Sequence, residues 1–327
     1  MPAPTFTSVA AQQVMNRVTA KTMPFQWSIN PYRGCAHGCS FCYARSTHTY
    51  FGLEADDSFQ RQIFVKGNAA QALDKQLRQL AKKHDWNLEW MAASLGPVAI
   101  GTATDPYQPV EARQQVTRAC LQVLARYRVP VTITTRSPLI LRDLDILREM
   151  DVRSVNLSVN TVNRNIWRQM EPASPAPHRR LEAVAALTSA GLHAGIFFAP
   201  ILPYITDSSR EIDAVFDAAR QAGAQFVMAS VLRLEAAIQP WFFKTLAAYD
   251  EKLLPHYRRL YRNAYPPASY VEPLMRKIGA RMERHGLSHP HDGRADQSQT
   301  DQHQTDQRTP SGGPGAQPAT GQLLLPI

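Results

Sequence analysis

The sequence predicts an α/β fold: a partial (β/α)6 barrel with a C-terminal helical extension and a disordered tail. Segments with strand-like and helix-like apolar spacing alternate five or six times within about 220 residues. Such alternation, with connections of helical length, is the pattern of parallel strands covered by outer helices. One open barrel accommodates these units better than two separate domains. After residue 288 the composition changes abruptly, which separates a tail from the body.

The predicted elements of the barrel core, residues 25–235, follow an irregular N-terminal extension, residues 1–24. The predicted strands, rich in β-branched side chains, are 63–66, 98–102, 129–135, 154–159, 193–199 and 225–232. The predicted helices, each with apolar residues three and four apart, are 69–83, 116–127, 144–150, one starting near 179, and 212–219. Asn68 is the expected N-cap of the first of these helices.

Two further segments follow the core. Residues 236–287 are expected to be helical, with an aromatic and basic stretch at 241–265, a break at Pro266 and Pro267, and a last helix at 273–285. Residues 288–327 are rich in Gln, Asp, Thr, Gly and Pro and contain no aromatic residue, which predicts disorder.

Charge and hydropathy narrow the class of protein. The formal charge of the 327-residue chain is +9, and the last 40 residues hold four Asp against two Arg, so the body carries +11. No apolar run reaches 18 residues, and the N-terminus lacks a charged start followed by an apolar stretch. We therefore expect no membrane span, no secretory signal and a cytoplasmic location.

Three of the four cysteines lie within eight residues, as Cys35, Cys39 and Cys42. This Cys-x3-Cys-x2-Cys spacing is typical of a metal or cluster site in a reducing compartment rather than of a disulfide framework. Gly34 and Gly38 allow the positive φ that wrapping the loop around one centre requires. The fourth cysteine, Cys120, is expected to fill a helix face in the core.

Three thiolates leave two interpretations open. A structural zinc ion and a closed 4Fe–4S cluster both take four protein ligands. With three cysteines, an iron–sulfur cluster keeps one iron available for a ligand from outside the protein. The alternative is a Cys3His zinc site, with His37 or His48 as the fourth ligand, in a zinc-stabilised nucleic-acid-binding protein without catalysis.

The cysteine loop, with Phe41 before the last cysteine and near the first strand of an alternating α/β chain, resembles the radical S-adenosylmethionine (SAM) superfamily. Segments 30–45, 101–109, 134–137 and 139–147 are similar to the branch of spore photoproduct lyase, which is also labelled DNA repair photolyase-like. The resemblance extends over about residues 25–235.

The resemblance implies a 4Fe–4S cluster on Cys35, Cys39 and Cys42, with SAM chelating the fourth iron. It also implies an electron donor of flavodoxin or ferredoxin type and reductive cleavage of SAM to a 5′-deoxyadenosyl radical that abstracts hydrogen from a substrate. The residues implied to bind SAM are Tyr43, Thr104, Asp105, Arg136 and Ser158. For Arg136 the implied partner is the SAM carboxylate, which a guanidinium can bind in bidentate fashion.

The chain departs from spore photoproduct lyase at two points. That enzyme has a cysteine hydrogen donor near the end of the second strand, where this chain reads Gly101-Thr102-Ala103-Thr104. The basic residue that usually follows this Glu-Pro pair in the family is also missing, because Ala173 follows Glu171-Pro172 here. Repair of spore photoproduct itself is therefore not expected.

The residues offer two indications of the substrate. Along segment 155–160, period-two alternation places Asn156, Ser158 and Asn160 on one strand face, which suggests a polar cavity. The basic body and the Tyr/Arg-rich stretch at 257–262 favour a nucleic acid. A peptide or a small metabolite stays open.

The tail ends in an apolar cluster, residues 322–327, which begins with Gln322 and ends with Ile327. Gln followed by leucines on a flexible tether resembles the short peptides by which bacterial repair enzymes bind the DNA sliding clamp. A sliding clamp is accordingly a candidate partner.

Overall fold

The structure is a computed structural model and describes residues 3–19 and 23–288. The strands are β1 (Thr5–Val9), β2 (Met15–Arg17), β3 (Trp27–Ile29), β4 (Tyr32–Arg33), β5 (Gln62–Lys66), β6 (Val98–Ile100), β7 (Val131–Thr135), β8 (Val152–Ser158), β9 (Ala194–Ile201) and β10 (Val227–Val231). The α-helices are α1 (Ser58–Arg61), α2 (Ala69–Lys83), α3 (Leu88–Leu95), α4 (Glu111–Gln114), α5 (Val116–Arg126), α6 (Leu144–Leu147), α7 (Arg164–Met170), α8 (Pro177–Ser189), α9 (Ser209–Gln221), α10 (Gln239–Asp250), α11 (Leu254–Leu260) and α12 (Ala268–His285). Three 3₁₀ helices cover Tyr43–Phe51, Pro138–Asp143 and Glu251–Leu253.

The main sheet has the strand order β10-β9-β8-β7-β6-β3-β2. The six strands from β3 to β10 in this sheet pair in parallel, and β2 pairs antiparallel to β3 at the edge. The predicted partial (β/α)6 barrel is therefore confirmed, and its six parallel strands place their carboxyl ends at one rim. Its first strand is β3, which was not predicted, whereas the predicted strand 63–66 is β5 and belongs to a separate sheet.

The alternation of side chains along β7 shows how the barrel is built. Val131 and Ile133 are fully buried in the apolar core, whereas Thr132 and Thr134 line the interior cavity. Because successive strand residues point to opposite faces, the apolar residues pack against the helices and the hydroxyls face inward. The inside of this barrel is an open cavity with polar and apolar side chains on its wall, unlike the filled apolar interior of a closed eight-stranded barrel.

The N-terminal extension is not irregular, contrary to the sequence expectation. β1 pairs in parallel with β5, which pairs with β4 in a separate three-stranded sheet, and β2 joins the edge of the barrel. β1 has the sequence Thr-Phe-Thr-Ser-Val, and its β-branched and aromatic residues are a strand signal that the sequence already carried.

The expected N-cap at Asn68 is also corrected. Asn68 precedes α2 without a capping hydrogen bond from its side chain. Its amide instead accepts from the Ala11 backbone nitrogen at 2.8 Å and donates to the Ala11 carbonyl at 3.0 Å. The side chain therefore fastens the N-terminal segment to the start of α2.

The helical extension matches its expectation in outline, and α12 starts earlier than expected and contains Pro273. Of the expected tail, Ser288 pairs with Phe226 in an isolated bridge; the candidate clamp peptide 322–327 lies outside the described residues. No helix within residues 3–19 and 23–288 combines the length and hydropathy needed to cross a membrane.

Two glycines give opposite predictions for alanine substitution. A Cβ on Gly195 in β9 would lie 2.3 Å from the Phe226 carbonyl oxygen, whereas one on Gly279 in α12 would meet nothing within 4 Å. We expect Gly195→Ala to lower the free energy of unfolding by about 2 kcal/mol or more. Gly279→Ala, the matched control, should raise it by about 0.5–1 kcal/mol. Urea denaturation measures both, and an equal response of the two variants would refute the packing at β9.

Candidate active site

The three clustered cysteines lie in a loop between β4 and the 3₁₀ helix Tyr43–Phe51. Gly34 and Gly38 have φ values of +80° and +61°. A Cβ on Gly34 would also lie 2.7 Å from the Gln62 carbonyl oxygen. Both positions thus need glycine for the backbone conformation, and Gly34 needs it for space as well, as the loop motif predicts.

The thiols of this loop are largely withdrawn from water. Cys35 and Cys39 are buried, and Cys42 is half-buried. Burial raises the pKa of Cys39 to about 12, and burial together with Asp105 and the neighbouring cysteines raises that of Cys35 well above its usual range. A thiolate here requires a compensating positive centre, which is what a metal cluster provides.

The loop is anchored from the end of β6. The Thr104 hydroxyl donates to the Gly34 carbonyl at 2.6 Å. The Gln108 amide donates to the same carbonyl at 3.2 Å and accepts from the Ala36 nitrogen at 3.0 Å. Thr104, which the resemblance assigns to SAM, thus contacts the cysteine loop and also lines the cavity. Gln108 was not identified from sequence.

Arg45 is a second anchor that the sequence did not reveal. Its guanidinium is fully buried and donates through Nε and Nη2 to the Cys39 carbonyl, at 3.2 and 2.9 Å. Nη2 also donates to Gln60 Oε1 at 2.9 Å. The sequence shows an arginine three residues after the last cysteine. It does not show that the loop turns back so that this arginine reaches the Cys39 carbonyl.

Asp105 joins β7 to the cysteine loop. Its carboxylate accepts from Thr135 Oγ1 at 2.6 Å and from the Arg136 backbone nitrogen at 2.7 Å. It lies 3.3 Å from Nε2 of the buried His37. Burial alone raises the pKa of a carboxyl, but His37 and these hydrogen bonds outweigh it and lower the pKa of Asp105 to about 2. Asp105 is therefore an ionised positioning residue.

This ionised carboxylate predicts an acid-labile contribution to stability. A carboxyl whose pKa falls from 3.8 in the unfolded chain to about 2 in the folded protein stabilises the fold above pH 4. The contribution is lost as the pH falls from about 4 to 2. We expect Asp105→Asn to reduce the free energy of unfolding at pH 7 by about 2 kcal/mol and to flatten its pH dependence below pH 4.

The control for this prediction is Asp217→Asn. Asp217 is exposed and lies 3.8 Å from His285, so the change should alter the unfolding free energy by less than about 0.5 kcal/mol. Equal acid dependence in the wild type and Asp105→Asn would show that Asp105 is not ionised in the fold.

Arg136 borders the cysteines as part of a buried ionic group. Its Nε lies 3.4 Å from Glu171 Oε1, and its guanidinium lies 5.7 Å from the centre of the Phe41 ring. Burial lowers the pKa of Arg136, but Cys39 and Glu171 outweigh that effect and raise it. A permanent positive charge therefore stands at the cavity wall beside Cys39.

Arg180, on α8, is the other partner of Glu171. Both side chains are fully buried and form an ion pair. Arg180 also donates through Nη1 to the Ser158 carbonyl at 2.8 Å and through Nη2 to Ser174 Oγ at 2.6 Å. Arg180 supplies a basic partner for Glu171 from nine residues further along the chain, which sequence reading missed.

A cavity of about 1530 Å³ opens beside these residues. Among the residues that line it are the three cluster cysteines and the expected SAM residues: Cys35, Cys39, Cys42, Tyr43, Thr104, Asp105, Arg136 and Ser158. Tyr43 donates its hydroxyl to the Thr102 carbonyl. Asn156 is buried, and its Oδ1 has no hydrogen-bond partner. The predicted polar strand face thus reaches the cavity through Asn156 and Ser158, whereas Asn160 does not line it.

The two histidines proposed as zinc ligands have other contacts. His37 faces Asp105, and His48 Nε2 lies 3.0 Å from the Gln62 carbonyl oxygen. The positions of the histidines thus do not favour the Cys3His alternative.

A parallel partial barrel with a three-cysteine loop at its rim is the architecture of enzymes that use an iron–sulfur cluster with SAM. The chain matches the radical SAM superfamily over residues 29–216 and belongs to it. An uncharacterised protein of Mycobacterium tuberculosis strain H37Rv is 34% identical over 292 residues, covering 88% of this chain and 83% of that protein. An uncharacterised protein of Methanocaldococcus jannaschii is 28% identical over 182 residues, covering 56% and 62%.

Solved structures show the same fold at low sequence identity. A spore photoproduct lyase mutant aligns with a TM-score of 0.61 at 15% identity, covering 85% of this chain and 79% of that one. The SuiB protein of Streptococcus suis, bound to the precursor peptide SuiA, aligns with a TM-score of 0.51 at 15% identity, covering 80% and 47%. The predicted branch is confirmed at the level of the fold.

Membership of the superfamily supports an enzymatic role and gives the cofactors, a 4Fe–4S cluster and SAM. The residues present fit both. The loop offers three thiol ligands and leaves one iron without a protein ligand. The adjoining cavity exceeds the usual 300–1,000 Å³ of a small-molecule pocket, and Arg136 supplies a cation for a carboxylate.

Proposed function

We propose that this protein is a radical SAM enzyme of the lyase-like branch in which Cys35, Cys39 and Cys42 hold the cluster and the barrel cavity holds SAM and part of a substrate. The observation that carries the proposal is a three-cysteine loop that opens onto a large cavity with Arg136 beside Cys39. When bound and reduced, the cofactor pair supplies one electron that cleaves SAM to methionine and a 5′-deoxyadenosyl radical for hydrogen abstraction.

The residues of the chain have three tasks in this reaction. Thr104, Gln108 and Arg45 fix the backbone of the cysteine loop, so that the three thiols keep their relative positions. Arg136, held against Glu171, offers its guanidinium to the carboxylate of SAM. Asn156 and Ser158 on β8 provide hydrogen-bonding groups that line the cavity. Thr104, Gln108 and Arg45 are therefore positioning residues, because they act on the loop and not on the reacting atoms.

Anaerobic purification separates this proposal from a zinc protein. We expect a brown protein that contains iron and acid-labile sulfide in equal amounts, with about four of each per chain. A colourless protein that retains one zinc ion through purification would refute the proposal.

For the substrate we propose a nucleic acid, as in a DNA repair lyase. Two features support it: the body carries a charge of +11, and the fold is similar to that of spore photoproduct lyase, solved in complex with a dinucleoside spore photoproduct. Basic surfaces bind phosphates without regard to sequence. The chain has no cysteine at the end of β6, so its reaction differs from spore photoproduct repair in the hydrogen donor.

Isotope transfer tests the substrate class. The reduced enzyme is incubated with SAM and a deuterated DNA oligonucleotide, intact or irradiated with ultraviolet light, and 5′-deoxyadenosine is analysed by mass spectrometry. We expect deuterium in the 5′-deoxyadenosine formed with DNA and none with the Cys39→Ala variant. SAM cleavage at a normal rate without deuterium from DNA or from deuterated RNA would exclude a nucleic acid and favour a peptide or a metabolite.

A further inference from the structure

The 3₁₀ helix that follows the cysteine loop ends in two exposed aromatic residues. Tyr50 is 74% exposed and Phe51 is 50% exposed. The Arg33 guanidinium lies 4.3 Å from the centre of the Phe51 ring, and Arg33 belongs to β4, which leads into the loop. We call Arg33, Tyr50 and Phe51 the aromatic edge. Adjacent exposed aromatic residues with an arginine are the typical composition of a binding surface.

A series of ring contacts connects this edge to the cysteine loop. Phe51 stacks on Phe64 with 5.0 Å between ring centres, and Phe64 lies 5.9 Å from His48. His48 meets Phe59 edge-on at 5.0 Å, and Phe59 packs in one buried cluster with Cys35. Burial lowers the pKa of His48, which favours its uncharged form, and the three phenylalanine rings carry no charge. Nothing in the cofactor chemistry described above uses these rings.

We propose that the aromatic edge is the docking surface for the one-electron carrier, an acidic protein of flavodoxin or ferredoxin type. This inference rests on the proposed function, because the reaction consumes one electron per SAM cleaved. In the docked complex the reduced centre of the carrier loses one electron and the 4Fe–4S cluster gains it. The carrier leaves in its oxidised form, and no bond in either protein is made or broken.

Charge and size favour this occupant. Arg33 gives the edge a positive centre over the Phe51 ring, and the body as a whole carries +11. An acidic carrier is steered towards such a surface at a rate that depends on ionic strength. Two aromatic rings and one arginine form a small patch, which suits the small interfaces of transient redox complexes.

The chain supplies matched controls in two other exposed aromatic residues. Trp86 and Trp90 are 55% and 59% exposed. The described ring contact of Trp90 is with His84 at 4.7 Å, not with a ring that packs on a cysteine. Replacing this pair changes the exposed aromatic area about as much as replacing Tyr50 and Phe51, but leaves the ring series to Cys35 intact.

The experiment compares the purified holoenzyme with two double variants, Tyr50→Ala/Phe51→Ala and Trp86→Ala/Trp90→Ala. Reduction of the cluster is followed by its absorbance under two reductants, a reduced flavodoxin and dithionite. The affinity for flavodoxin is measured separately by titration. The iron content of each protein shows whether the cluster is retained.

We expect Tyr50→Ala/Phe51→Ala to slow reduction by flavodoxin and to weaken its binding by at least about tenfold. Its reduction by dithionite and its iron content should stay within about twofold of the wild type, because a small reductant needs no docking surface. The tryptophan variant should match the wild type in every measurement. Raising the salt concentration should slow reduction of the wild type by flavodoxin but not by dithionite.

Two results would overturn the docking proposal while leaving the proposed function intact. One is unchanged reduction and binding by flavodoxin in the Tyr50→Ala/Phe51→Ala variant. The other is loss of affinity for single-stranded DNA with unchanged reduction by flavodoxin, which would make the edge a base-stacking surface. A wild-type protein that holds no cluster, or that does not cleave SAM under dithionite, would instead refute the proposed function.

Discussion

Replacing Cys39 with alanine is expected to lower the iron content from about four per chain to less than one and to abolish detectable SAM cleavage. The remaining two thiols cannot hold three irons of one cluster. Cys39 is buried beside Arg136 and Glu171. A thiol on the surface therefore cannot take its place in the loop. Iron and sulfide analysis after anaerobic reconstitution measures the first effect, and chromatography of 5′-deoxyadenosine measures the second.

Cys120→Ala is the matched control. Cys120 is buried on α5 among apolar residues of the core, and burial raises the pKa of its thiol to about 12. We expect the variant to retain iron and SAM cleavage and to lose about 1 kcal/mol of stability through the small cavity left behind. Equal loss of iron in the two variants would contradict the assignment of the ligands.

Replacing Glu171 with glutamine is expected to have the largest effect on stability, a loss of about 3–5 kcal/mol in the free energy of unfolding. Glu171 pairs with Arg180 and Arg136, and neither Glu171 nor Arg180 is exposed to solvent. Burial raises the pKa of a carboxyl, but the two arginines outweigh it and lower that of Glu171. The variant would leave the buried Arg180 charge uncompensated.

Two further variants test this explanation. Glu182→Gln removes an exposed carboxylate that pairs with Arg179 on the same helix, and it should cost less than about 1 kcal/mol. The double variant Glu171→Gln/Arg180→Met removes both buried charges and should recover part of the loss seen in Glu171→Gln. Losses that simply add in the double variant would show that the two side chains do not interact.

The sequence predicted the parts of this molecule that depend on local patterns. The alternation of apolar residues predicted five of the six parallel strands, β6 to β10, and the cysteine spacing with Gly34 and Gly38 predicted the loop. Both are properties of short segments, because a strand face has a period of two and a ligand loop needs positive φ at fixed positions. The first parallel strand, β3, is three residues long and was too short to show a pattern.

The anchors of the site could not be predicted in the same way. Thr104 and Gln108 donate to the Gly34 carbonyl from 70 and 74 residues further along the chain. Only the pairing of β3 with β6 brings them there. Arg180 reaches Glu171 because α8 packs back on β8. Such contacts depend on which strands and helices become neighbours in the fold, and this cannot be read from individual residues.

Release of 5′-deoxyadenosine from SAM on reduction of the purified holoenzyme tests the central claim most directly. The wild type should release 5′-deoxyadenosine and methionine in equal amounts, whereas Cys39→Ala should release neither. A wild-type protein that contains the 4Fe–4S cluster, binds SAM and is fully reduced by dithionite, yet releases no 5′-deoxyadenosine with or without substrate, would contradict the account.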